Sequence, residues 1–223
     1  MIPGTLALGV LAVVASLGMV GGSLVFDRTL IDQGEWWRLL SGHFVHFSGA
    51  HLAADLAGWI LLGGLLERRA PWLWRAVVIS SLVLIGPGLW KLEPTLTLFG
   101  GLSGMVHAMA AALAACWISS DSGVERGRGW VLLVGMAWKL GWIGWFPDTG
   151  SGGVLPSGVS VCHASHALGM MLGFGSFLAV GGRWSRPVRW ESGMPLKWMI
   201  CHPASRSRRN SRFTAAPTRC LTR

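Results

Sequence analysis

The sequence predicts an all-α polytopic membrane protein, one bundle of six membrane-spanning helices. Three observations carry that prediction. The 223-residue chain is 52% hydrophobic and only 13% charged, about half the charged share of a soluble protein. Several apolar runs approach the roughly 20 residues that a helix needs to cross a bilayer. There are 14 Trp and no Tyr. Trp72, Trp74, Trp90, Trp117, Trp130, Trp145 and Trp184 stand near the ends of apolar runs, where an interfacial belt belongs.

The six spans are read at 2–26, 48–66, 71–90, 99–118, 129–146 and 160–182, so residues 1–182 form one membrane domain. The first run, Ile2 to Phe26, lacks a basic flank and is long for a signal-peptide core, so it reads as a retained span. Loop one, Asp27 to Phe47, is long for a connection between membrane helices. Its Glu35, Trp37 and Arg38 suggest a structural segment at the interface, with Arg38 reaching polar partners. Loop five, Pro147 to Val159, is rich in Gly, Ser and Pro and reads as a flexible connector suited to act as a lid.

Charge orients the bundle. Residues 1–182 carry nine Lys+Arg and nine Asp+Glu, whereas residues 183–223 carry ten basic residues and one acidic, Glu191. The whole excess of +9 is therefore a basic tail. Beside a last span it reads as a disordered cytoplasmic segment lying on anionic lipid, and composition argues against a nucleic-acid partner. Loops two and four hold Arg68, Arg69, Arg126 and Arg128, so these loops and both termini are assigned to the cytoplasm. The four cysteines have no CxxC spacing, which predicts neither a disulfide frame nor a zinc site. No cofactor is expected.

With that topology, spans two, four and six all begin on the outer side. Ser103 and His166 then lie at similar depths in spans four and six, and His51 and Asp55 lie in the first turns of span two. Polar side chains from separate helices gathered in one leaflet point to function. A serine hydroxyl becomes a nucleophile when a neighbouring base takes its proton, and histidine titrates in the right range. Gly169, Gly173 and Ser176 below His166, and Gly104, Ala108, Ala111, Ala112 and Ala115 on span four, allow the close helix approach that a Ser–His contact needs. If span four's helix begins near Gly101, the Ser103 amide is a free first-turn donor for an oxyanion. His51 offers a second donor. Asp55, one turn on, either orients His51 or stays protonated through burial. A simple polar pair at a helix mouth accounts equally for those two residues. His107, one turn below Ser103, is poorly aimed at the hydroxyl. A metal reading through His163, His166, His51 and Asp55 lacks a His-Glu-x-x-His motif.

These residues resemble the rhomboid family of intramembrane serine proteases over most of spans two to six. Gly101-Leu102-Ser103-Gly104 is similar to the family's nucleophile motif, and Ser165-His166-Ala167-Leu168-Gly169 to the segment bearing its histidine. Glu35 with Trp37-Arg38 resembles the first-loop motif, structural in the family. His51-Leu52-Ala53-Ala54-Asp55 resembles its His-x-x-x-Asn oxyanion motif, with Asp55 in place of Asn. Gly34 to His46, Gly101 to His107 and Trp138-Lys139-Leu140 look most like the bacterial rhombosortases. The resemblance implies a six-helix rhomboid core in the bacterial inner membrane, with its site opening to the periplasm. It also implies substrates anchored by a C-terminal Gly-Gly signal, a membrane helix and a basic end. The alternatives are a rhomboid protease with other transmembrane substrates, and an inactive relative that binds membrane helices without cutting them.

Overall fold

The computed structural model describes residues 2–17, 21–145 and 162–180. Loop five, with its expected lid, and the basic tail lie outside the described residues. The elements in chain order are α1 (Pro3–Ser16), α2 (Gly21–Leu24), β1 (Phe26–Asp27), α3 (Arg28–Asp32), α4 (Arg38–Ser41) and a 3-10 turn (Gly42–Phe44). There follow α5 (Gly49–Gly58), a π-helical turn (Trp59–Gly63), α6 (Gly64–Arg69), α7 (Pro71–Leu92), β2 (Leu98–Phe99), α8 (Ser103–Ile118), α9 (Gly123–Trp145) and α10 (His163–Val180).

The helix at the centre is α8. Its Ala-rich stretch from His107 to Cys116 is buried on every side, as expected of a helix apolar all round. It packs against α7, α9, α10 and the π-helical turn. The outer helices present apolar side chains outward: Val10 and Val14 on α1, Ile79 on α7, Val131 on α9 and Leu178 on α10 are all exposed. Apolar surface of that extent suits contact with lipid tails. Among the described residues, two helical stretches are long and apolar enough to cross a membrane, Gly49–Arg69 and Pro71–Leu92, while α1 and α8 are shorter apolar helices.

Several expected boundaries move, and α9 starts at Gly123, not residue 129. The first helix does not run to Phe26 but ends at Ser16, ahead of a glycine-rich sequence. Phe26–Asp27 instead pairs antiparallel with Leu98–Phe99. The fourth helix accordingly starts at Ser103, not residue 99. This short ribbon draws loop one against the segment that enters α8, and the Gly101 amide donates to Gly42 O at 3.2 Å. Arg38 anchors the other side of the loop. It is buried, pairs with Glu35 at 2.6 Å, and donates to Gly22 O at 2.9 Å and Val25 O at 2.8 Å. Trp37 stays half-exposed, its indole near Ser23 O.

Candidate active site

With 16 residues against the 22 of α7, α8 is about 24 Å long at 1.5 Å per residue, short of a bilayer core of about 30 Å. Its first residue is Ser103. The Ser103 hydroxyl lies 3.0 Å from His166 Nε2 on α10. Glycine makes this possible. A Cβ on Gly169 would strike Gly104 O, and one on Gly173 would strike Ala108 O, so the two backbones touch directly below the pair. Ser176, expected on the same packing face, turns to α7 and bonds the Ser80 hydroxyl at 3.0 Å.

His166 is buried, and its Nδ1 has no hydrogen-bond partner among the described residues. Its ring is held by stacking, 4.0 Å from the His107 ring and inclined by 14°. His107 does not aim at the Ser103 hydroxyl. Its Nδ1 lies 2.7 Å from Ser103 O, so that nitrogen carries the hydrogen and donates. His107 Nε2 is then an acceptor, and the Lys139 ammonium on α9 reaches it at 3.4 Å. His163 stands farther off, its ring 6.3 Å from His166.

The other wall of the site comes from α5. Ser48 caps this helix, accepting from the His51 amide at 3.0 Å. His51 Nε2 lies 3.4 Å from Asp55 Oδ2, one turn along. The same oxygen is 3.1 Å from His46 Nε2 in loop one. Gly101 seals the junction between the two walls. Its φ is +126°, a region closed to most side chains. A Cβ there would also come within 2.8 Å of His51 Nε2 and 3.0 Å of Asp55 Oδ2. The turn therefore lays backbone on the polar cluster and presents Ser103, whose amide is in the first helical turn and lacks an intrahelical acceptor.

The structure thus brings Ser103 to His166, and His51 and Asp55 to Gly101. Glu35, Trp37 and Arg38 lie in loop one; Arg38 and Trp37 donate to the stretch that follows α1, and Glu35 pairs with Arg38. Sequence reasoning missed the partnerships of His46, His107 and Lys139. The spacing of four between Ser103 and His107, and a lysine inside an apolar run, were the available signals. His46, His51 and Asp55 have ligand atoms within 4.8 Å of one another, and among the described residues they are the group able to hold a metal ion. Chemically, the arrangement offers a hydroxyl nucleophile, a base in bonding reach and a free amide beside it, the parts of an acyl-transfer site.

The model of the Rhomboid domain matches residues 33–183. The rhomboid protease GlpG of Serratia proteamaculans is 31% identical over 184 residues, 76% of this chain and 60% of that protein. GlpG of Salmonella newport is 27% identical over 165 residues, 68% of this chain and 54% of its own. The chain therefore spans little more than half the length of these relatives.

Proposed function

The chain belongs to the rhomboid family, and on that footing we propose that it is an intramembrane serine endopeptidase working through Ser103 and His166. The observation that carries this reading is the 3.0 Å contact between the Ser103 hydroxyl and His166 Nε2 across two helices. A membrane-anchored substrate unwinds locally at the mouth of α8. Ser103 Oγ attacks a peptide carbonyl while His166 Nε2 takes the proton, then returns it to the leaving amine. The oxyanion is held by the Ser103 amide and the His51 ring. Water, deprotonated by His166, hydrolyses the acyl-enzyme. His107, stacked beneath His166, does the orienting that a third carboxylate does in soluble triads.

The finer reading is a rhombosortase: a six-span enzyme of the bacterial inner membrane that removes C-terminal Gly-Gly-type anchors from exported proteins. Gly101-Leu102-Ser103-Gly104-Met105-Val106-His107 and Trp138-Lys139-Leu140 support it. The basic tail then lies on anionic lipid of the cytoplasmic leaflet. The likeness to GlpG proteases supports the broader alternative, cleavage of other transmembrane segments. Co-expression with a Gly-Gly-anchored reporter tests both levels. Ser103→Ala should abolish cleavage at unchanged protein level, and continued cleavage rejects the mechanism. Replacing the reporter's anchor with an unrelated membrane helix should stop cleavage by the wild type; if it does not, the broader specificity holds.

A further inference from the structure

We propose that Lys139 is a positioning residue of the active site: it holds the His107 ring flat against His166 and so keeps the base aimed at Ser103; the inference rests on the protease reading above. A lysine in an apolar helix is costly and calls for a partner. Lys139 lies on α9, a helix of 23 residues that packs against α8. Its Nζ comes within 3.4 Å of His107 Nε2. The direction of that bond is fixed from the far side of the ring. His107 Nδ1 lies 2.7 Å from Ser103 O, and a carbonyl oxygen can only accept, so Nδ1 carries a hydrogen. An ammonium can only donate, so Nε2 is a bare lone pair. The two contacts independently require the same neutral tautomer. The ring is thus gripped at both nitrogens, once by the backbone of its own helix and once by a neighbouring helix.

The grip has a consequence because of what lies on the face of the ring. His166 stacks there, 4.0 Å away and inclined by 14°, with its Nε2 3.0 Å from Ser103 Oγ. His166 Nδ1 has no hydrogen-bond partner among the described residues, so no carboxylate among them fixes the rotation of the base. Its orientation passes through the stack instead. The bond to Ser103 O does not settle the His107 ring alone, since in an α-helix that oxygen also accepts the amide four residues on. Without Lys139 the ring is free to turn about its Cβ–Cγ bond, a torsion with broad minima, and the stack loosens with it. The tautomer contributes as well. When His166 takes the Ser103 proton it becomes a cation, and a neutral π face beside it attracts that charge. A lysine that merely set the depth of α9 in the membrane would act on stability or substrate entry, not on the aim of the base.

The experiment measures kcat and KM for the purified full chain in detergent on an anchored reporter that it cleaves, with thermal unfolding to establish that each variant is folded. Lys139→Met should lower kcat about tenfold and leave KM within about twofold, because aligning the base serves the transition state and not substrate binding. Lys139→Arg, which also presents only donors, should recover most of the loss. His107→Phe keeps a ring on His166 but offers Lys139 no nitrogen to hold. In that background Lys139→Met should cost nothing further. Lys139→Gln is shorter than the contact requires and should match Lys139→Met, which keeps the test decisive if the methionine variant does not fold. An unchanged kcat, a loss confined to KM, no recovery in Lys139→Arg, or the same loss repeated on top of His107→Phe each overturns the proposal. Cleavage that survives Ser103→Ala would instead reject the protease reading itself, so the two failures are distinguishable.

Discussion

His43 is a fully buried imidazole whose two nitrogens find no hydrogen-bond partner among the described residues. Its ring stands edge-on to Phe99, centroids 5.7 Å apart, wedging loop one against the entry to α8. Burial pushes its pKa down from 6.5 to about 4. The sign follows directly. Above pH 6.5 the ring is neutral whether folded or not, and its burial costs nothing in protonation. As pH falls from 6.5 towards 4 the unfolded chain takes up the proton first, and stability drops by up to about 3 kcal/mol. His43→Leu removes that linkage. Between about pH 7.5 and pH 5 its thermal midpoint in detergent should fall by less than that of the wild type; parallel curves would contradict the assignment. At this scale the sequence was partly legible. Ser103 and His166 stand out because a hydroxyl and an imidazole are costly in apolar helices. The pairing of His46 with Asp55, and of Lys139 with His107, was not legible, because each depends on which faces of separate elements meet.

The contact between α8 and α10 is the element on which the site depends. It is made of glycine against backbone, Gly169 on Gly104 and Gly173 on Ala108. Gly169→Val should wedge the helices apart, a cost of about 1–3 kcal/mol in packing. Because it also moves His166 away from Ser103, cleavage should fall by at least about a hundredfold. The check is a parallel measurement of thermal midpoint and rate: a stable protein with undiminished rate would show that the helices need not touch. This face was readable from the spacing of small residues. The end of α1 was not, since an apolar run does not reveal where a helix gives way to a strand. Phe26 leaves helical geometry for a partner, Phe99, that lies far along the chain. Pairing of that kind leaves no local periodic trace.

Across the whole molecule, polar contacts sort into two ends. One end gathers the start of α1, where Gly4 and Thr5 amides donate to the Glu67 carboxylate at 2.9 Å, and the bidentate Arg69–Glu125 pair. The other gathers Ser16, His46, His51, Ser103 and His166. Arg68, Arg69, Arg126 and Arg128 lie in the loops of the first end, and on the positive-inside bias we propose that the site faces away from the cytoplasm. Alkaline phosphatase fused after Glu93 should be active in a bacterial host, and fused after Arg69 or Asp121 inactive. The reverse pattern would invert the orientation. Loop charge supplies an expectation of alternating ends; the Glu67 clamp on α1 was not legible, because an acidic side chain at a helix end has many possible partners.

The π-helical turn at Trp59–Gly63 lies between these two ends on one continuous helix. It fits one residue more into a turn than regular helix does, so the portions on either side are aimed independently. Inserting a single residue into the regular helix beside it, after Gly64 for example, would rotate one portion about its axis by about 100° relative to the other. Either His51 and Asp55 would swing away from Gly101, or Glu67 would release the first helix. The length of this segment is therefore a setting shared by chemistry at one membrane face and anchorage at the other, and neither can be retuned by insertion or deletion without disturbing its counterpart.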